Sequence, residues 1–114
     1  MMSVLEYAVC SMSALEDTLL FQIRAVGIEE PKREYRAIPT RRFKWDFCWE
    51  RQRLLVECQG SVYVPNTGHS SGRGISRDAE KHNIATLNNW RQLTFTGAMV
   101  KDGTAIAAIE QALK

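Results

Sequence analysis

The sequence is short of most features that would place it in a special class. No apolar run in its 114 residues approaches the roughly 18 needed to cross a bilayer, so no membrane partner is expected. The opening stretch MMSVLEYAVCSMS has no basic leader region and carries Glu6 among its apolar residues. A secretory signal is therefore not expected, and the setting read from the sequence is cytoplasmic. There are only three cysteines, Cys10, Cys48 and Cys58, widely spaced and without a CxxC pair. That excludes a disulfide framework and a zinc ribbon and leaves buried reduced thiols. No repeat or low-complexity segment is present, and the formal net charge is only +2.

What the chain does have is an ordinary globular composition, 45% hydrophobic and 25% charged, enough for one core and one domain over 1–114. The charge is unevenly spread. From Lys32 to Arg53 eight Lys/Arg stand against three acids, a local +5, while the remaining seven Lys/Arg and ten acids give −3. A basic belt on a mildly acidic molecule suits a polyanionic partner.

Ser13 with Glu16 reads as a capping box, followed by Leu15, Leu19, Ile23 and Val26 at helical spacing and Gly27 as a stop, so a helix is expected over 13–26. A short strand is expected at 34–38, between two prolines. The period then becomes two: in FKWDFCWE, Phe43, Trp45, Phe47 and Trp49 alternate with Lys44, Asp46, Cys48 and Glu50. A turn at ERQR leads to LLVECQG, in which Leu54, Val56 and Cys58 share one face and Leu55, Glu57 and Gln59 the other, making an antiparallel hairpin. Residues 60–75 hold four of the seven glycines and read as a loop. Ser76 is expected to cap a helix over 77–89, buried through Ala79, Ile84 and Leu87. RQLTFT is the next strand, and Thr104 is expected to cap a final helix through Lys114 with Ile106, Ile109 and Leu113 inward. Together these elements predict an α/β fold, a mixed sheet flanked by helices with a parallel crossover into the last strand.

The chemistry-bearing set is Asp46, Glu57 and Gln59. Side chains two apart on a strand point the same way, and Asp46 on the adjoining strand reaches the same region. Two carboxylates meeting within a sheet call for a cation between them, and an all-oxygen set favours Mg²⁺ or Mn²⁺. Spacing alone also admits a plainer arrangement, with Asp46 and Glu57 solvent-facing and paired to Lys44 or Arg53. His69 lies in the glycine-rich loop, where it is either a surface residue or a group folding back over the site. Lys81 is either an exposed i,i+3 partner of Asp78 or a contributor to the site.

The run RRFKWDFCWERQRLLVECQG, followed by GHSSGRGISRDAEKHNIATLNNWRQLTFT, resembles the PD-(D/E)xK nuclease superfamily, and within it the small phage and bacterial nucleases related to the very-short-patch repair endonuclease. The resemblance covers roughly residues 13–114. It implies a restriction-endonuclease-like αβββαβ core and hydrolysis of DNA phosphodiester bonds with Mg²⁺ or Mn²⁺. By position it implies that Asp46 and Glu57, with the backbone carbonyl of Cys58, hold the metal. Gln59 stands where many members carry lysine, and Lys81 or His69 would compensate. Glu16 and Glu34 match acidic positions at the edge of the site in some relatives. Arg41, Arg42, Lys44 and Arg73 are the expected contacts to DNA phosphates. A junction-resolving nuclease and a catalytically silent nucleic-acid-binding module are the alternatives, and so small a footprint leaves room for a homodimer or a separate DNA-reading partner.

Overall fold

Leu15, Leu19 and Ile23 recur at helical spacing, and their burial defines the inward side of helix α1 (Met12–Ala25) in the computed structural model, which describes residues 12–59 and 72–114. Gly27 ends this helix as expected. It adopts φ +79, and two bonds close the end: Gly27 N–H donates to the Arg24 carbonyl and Ile28 N–H to the Ile23 carbonyl, each at 3.1 Å. This paired closure puts Ile28 against the core beside Ile23. Two details depart from expectation. Ser13 lies inside the helix and not ahead of it, and Glu16 turns its carboxylate to Arg33. Val26 falls beyond the last helical residue and is exposed, because the chain has already left the core-facing path there.

The four strands are β1 (Lys32–Tyr35), β2 (Trp45–Trp49), β3 (Leu54–Gln59) and β4 (Arg91–Thr96), in spatial order β1-β2-β3-β4. β1 comes earlier than the 34–38 segment expected. β1 and β2 pair antiparallel, as do β2 and β3 in register Phe47↔Val56 and Trp49↔Leu54. The hairpin turn is closed by Arg53 N–H donating to the Glu50 carbonyl at 3.0 Å, with Arg53 at φ 54. β3 and β4 run parallel, as the intervening helix requires: α2 (Gly72–Leu87) carries the chain across. Two helices follow β4. The short α3 (Gly97–Lys101), not foreseen from the sequence, is capped by Thr96, whose hydroxyl accepts from Met99 N–H. Next comes α4 (Thr104–Ala112), whose N-cap is Gly103 and not Thr104; just ahead of it, Asp102 accepts from Thr104 N–H at 2.8 Å.

Helices cover both faces of the sheet. On one face α1, α3 and α4 bury Leu19, Ile23, Val100, Ala105 and Ile109 against Phe47, Trp49, Leu54, Val56, Cys58 and Phe95. On the other, Ala85 of α2 meets Trp45, Cys48 and Leu55, together with Ile38, Phe43 and Trp90. All five β2 residues are therefore buried, and the expected polar face of this strand does not exist. α2 has the thinnest inward stripe: Ile84 and Ala85 turn in, while Ala79 and Leu87, expected inside, are exposed. The helix begins at Gly72, so Ser76 lies inside it and is not its cap, and Leu87 is its last residue.

The alternation in β2 breaks at its centre. Trp45 belongs to the α2-side cluster and Phe47 to the α1-side cluster, although strict pleating would place them on one face. Opposite the break, between the pairs Tyr35↔Trp45 and Arg33↔Phe47, Glu34 has a left-handed φ of 49. A non-glycine residue there is strained by about 1–3 kcal/mol. Asp46 sits at this irregular point. Among the described residues no helix is long and apolar enough to cross a membrane.

Because Gly27 must be left-handed to close α1, Gly27→Ala is expected to destabilise the fold by about 1 kcal/mol, read as a lowered urea midpoint. Nothing lies within 4 Å of a Cβ built there, so the loss measures backbone strain alone.

Candidate functional site

Asp46 is 6% exposed in the middle of a strand covered on both sides. Its Oδ2 accepts the backbone N–H of Cys58 at 2.7 Å, so the carboxylate is turned onto β3 and satisfied at one oxygen. Burial pushes its carboxyl above the usual range. The Cys58 N–H opposes that rise, the charge of Glu34 adds to it, and Lys81 and Arg33 work against it.

Glu57 enters from β3, two residues before Gln59, and lies deep, its side chain 14% exposed. Lys81 reaches it from α2. The ammonium of Lys81 contacts Glu57 Oε1 and donates to the main-chain carbonyl of Lys44 at 2.6 Å, and it stands 5.0 Å from the Trp45 ring centre. Lys81 is thus a buried partner of Glu57, its own side chain only 12% exposed, and not an exposed partner of Asp78. Even so, Glu57 is raised above the ordinary carboxyl range, by burial first, with Lys81 lowering it and the nearby charges of Asp46 and Asp78 raising it. Asp46 is therefore one of the charges that act on Glu57. The solvent-facing arrangement paired with Lys44 or Arg53 is not what the fold contains.

Glu16 and Glu34 close the other side. Glu16, 8% exposed on α1, is raised by burial and then by Asp46, and it accepts from Arg33 at 3.4 Å. Arg33 also lies over the Phe47 ring at 5.1 Å. Asp46, Glu57, Glu16 and Glu34 are thus linked electrostatically, with Lys81 and Arg33 as the cations acting among them. Four carboxylates against two cations leave the group short of positive charge. Arg33 was not singled out in the sequence. Its partner is 17 residues upstream on a helix packed under the sheet, and no local pattern announces that pairing.

The remaining expected residues are scattered. Gln59 ends β3 half-buried, in register with Thr96. His69 lies outside the described residues, as does Cys10, while Arg73 falls in the first turn of α2. Arg41 is paired with Glu80 at 2.7 Å, and Arg42 and Lys44 are exposed. Of the rest of the basic belt, Lys32 is paired with Glu50, and Arg36 and Arg53 are bound to carbonyls. Burial raises the thiols of Cys48 and Cys58 to about 12, which fits the expected inert, reduced cysteines.

No family model, curated protein or solved structure matches this chain. Its chemistry must be argued from the site itself. Among the described residues, no group of three or more His, Cys, Asp or Glu side chains is gathered to hold a metal. The donors that Asp46 and Glu57 offer are nevertheless all oxygen, with one oxygen of Asp46 taken by the Cys58 N–H and one of Glu57 by Lys81. Mg²⁺ keeps most of its water and is held by one or two protein carboxylates, the donor class that these two residues share.

The raised carboxyl of Asp46 carries a stability prediction. Between its ordinary value of 3.8 and its raised native value, the folded state holds more protons than the unfolded state, so this group's contribution to stability is lost as pH rises. Asp46→Asn should therefore be more stable than the wild type near neutral pH in EDTA. That advantage should shrink as the pH falls towards 3.8, read by denaturant unfolding across the range. Lys81→Met leaves Glu57 buried without its cation and should cost about 3 kcal/mol. Adding Glu57→Gln should recover much of that loss.

Proposed function

We propose that the protein is a divalent-metal-dependent DNA endonuclease with a restriction-endonuclease-like core, acting through Asp46 and Glu57. The observation that carries this reading is the charge-starved pairing of these two interior carboxylates with a lysine delivered from α2. The order α1-β1-β2-β3-α2-β4, antiparallel through β3 and parallel at β4, supports it as the αβββαβ arrangement that the resemblance implies.

Asp46 and Glu57 would hold Mg²⁺ or Mn²⁺, with the Cys58 carbonyl as a third oxygen. The bound ion would polarise the scissile phosphate and acidify the attacking water. The chain's own groups do the rest. The Cys58 N–H fixes the orientation of Asp46. Lys81, anchored on the Lys44 carbonyl, supplies the positive charge that Gln59 cannot, steadying charge that develops on the phosphate. Arg33 holds Glu16 at the margin of the site. Arg42 and Lys44, exposed beside the site, and Arg73 give salt-dependent contact with the DNA backbone. Cleavage at a DNA junction would use the same groups and differ only in the DNA shape read.

A silent nucleic-acid-binding module is the second reading. One observation favours it: Glu57 already has a permanent cation in Lys81, so the pair is partly compensated without metal.

Supercoiled plasmid with Mg²⁺ or Mn²⁺ separates these readings. The wild type should nick or linearise it, while Asp46→Ala and Glu57→Ala should lose about 100-fold or more of that activity. Lys81→Ala should retain DNA binding and lose cleavage. Equal cleavage by wild type and both carboxylate variants removes the mechanism. Binding with no cleavage under either metal favours the silent module.

A further inference from the structure

Beside the carboxylate site, a cleft of about 380 Å³ opens between the 38–44 segment and α2, lined by Thr40, Arg41, Arg42, Phe43, Arg77 and Glu80. Three of these six are arginines, and one is an acid. The guanidinium of Arg41 lies 4.7 Å from the Phe43 ring centre and that of Arg77 6.0 Å from it. Phe43 itself is 7% exposed, so the ring is a buried backing and not a platform on which a base could stack. Guanidiniums drawn to an aromatic ring in this way still have N–H donors with which to grip an oxyanion.

The wall of the cleft is held in shape. Arg36 donates to the carbonyls of Pro39 and Arg41 at 3.1 and 3.0 Å, and Arg41 N–H closes a turn onto the Ile38 carbonyl at 3.0 Å. Crowded arginines cannot relieve their repulsion by losing protons, so anions must offset it. Glu80 does so for one of them, through the 2.7 Å pair with Arg41. Arg42 and Arg77, both exposed, leave an excess of two positive charges across the cleft.

We propose that this cleft binds one backbone phosphate of the nucleic acid, with Glu80 occupying the anion's place on Arg41 until the phosphate arrives. The proposal deepens the nuclease reading and rests on DNA being the ligand. The geometry agrees with the neighbouring site. Arg77 and Lys81 are four residues apart on α2, roughly 6 Å along the helix. The carbonyl of Lys44, next along the chain from Phe43, is the one that anchors Lys81. A strand whose scissile phosphate lies at Glu57 and Lys81 would therefore present a phosphate one or two nucleotides away to Arg41, Arg42 and Arg77, given about 3.4 Å of rise per nucleotide.

The test is binding of a short labelled DNA duplex in EDTA, followed by fluorescence anisotropy between about 50 and 200 mM salt. With no divalent ion present, the result is independent of cleavage. Arg77→Ala should weaken binding several-fold whatever the sequence and reduce the salt slope by about 1. Glu80→Gln should tighten binding several-fold, and this gain should vanish in an Arg41→Ala background. Arg77 and Glu80 are exposed, and unchanged circular dichroism and melting curves would show that the variants remain folded. No measurable binding by the wild type, a salt slope unmoved by Arg77→Ala, or an affinity unchanged or weakened by Glu80→Gln would each overturn the proposal. Failure of the nuclease reading would look different: variants behaving as expected in EDTA, with plasmid left uncut in Mg²⁺ and Mn²⁺.

Discussion

A carboxylate taken out of water inside a sheet is costly unless something answers its charge, and here there are two such groups on neighbouring strands. The Lys81 ammonium is the direct answer to Glu57, while Asp46 depends on one backbone N–H and on more distant cations. Much of the architecture makes this arrangement possible. The hairpin register sets β2 against β3, and the left-handed Glu34 lies on β1 opposite the point where Asp46 sits. The parallel crossover brings α2 over the face from which Lys81 reaches down. Burying these acids costs the fold stability that Lys81 and the Cys58 N–H offset only in part.

The two faces of the sheet do different work. The α1, α3 and α4 side carries most of the packed apolar volume, with Leu19, Ile23 and Ile109 fully buried against Phe47 and Val56. The α2 side is thinner. Along α2, Ala85 is buried and Ile84 half-buried, and the rest of that interface is polar: Lys81 on Glu57 and on the Lys44 carbonyl, Glu80 on Arg41. Consecutive residues of one helix thus hold two separate parts of the molecule, Glu80 the basic segment and Lys81 the acidic strand. An interface of this kind is sensitive to salt and to bound ions in a way that the opposite face is not.

The sequence made some of this legible because the relevant interactions are local. Helical spacing at Leu15, Leu19 and Ile23, the glycine stop at Gly27, and the period-two runs on either side of the turn at 50–53 all report short-range physics, and the mixed sheet followed from them. The pairing of Asp46 with the β3 backbone was within reach because a tight hairpin leaves little choice of register. What was not legible depends on distant packing. The buried polar face of β2 follows from α2 covering it, which no window around Asp46 contains. Neither the split of Trp45 and Phe47 between two cores nor the left-handed φ of Glu34 on the neighbouring strand has a local signal, for glutamate is no turn residue. The sequence offered Lys81 either a local pairing with Asp78 or a part in the site. Asp78 was the nearer in sequence, yet the fold gave the lysine to Glu57, 24 residues away.

One of the two attachments of the Lys81 ammonium is made to a peptide group. The acceptor is the carbonyl oxygen of residue 44, and every amino acid carries that oxygen. Drift at position 44 can alter the charge displayed on the surface while leaving this holdfast intact. Only the Glu57 end of the clamp can be erased by a single codon change, so the lysine's posture is better protected against genetic change than the surface around it.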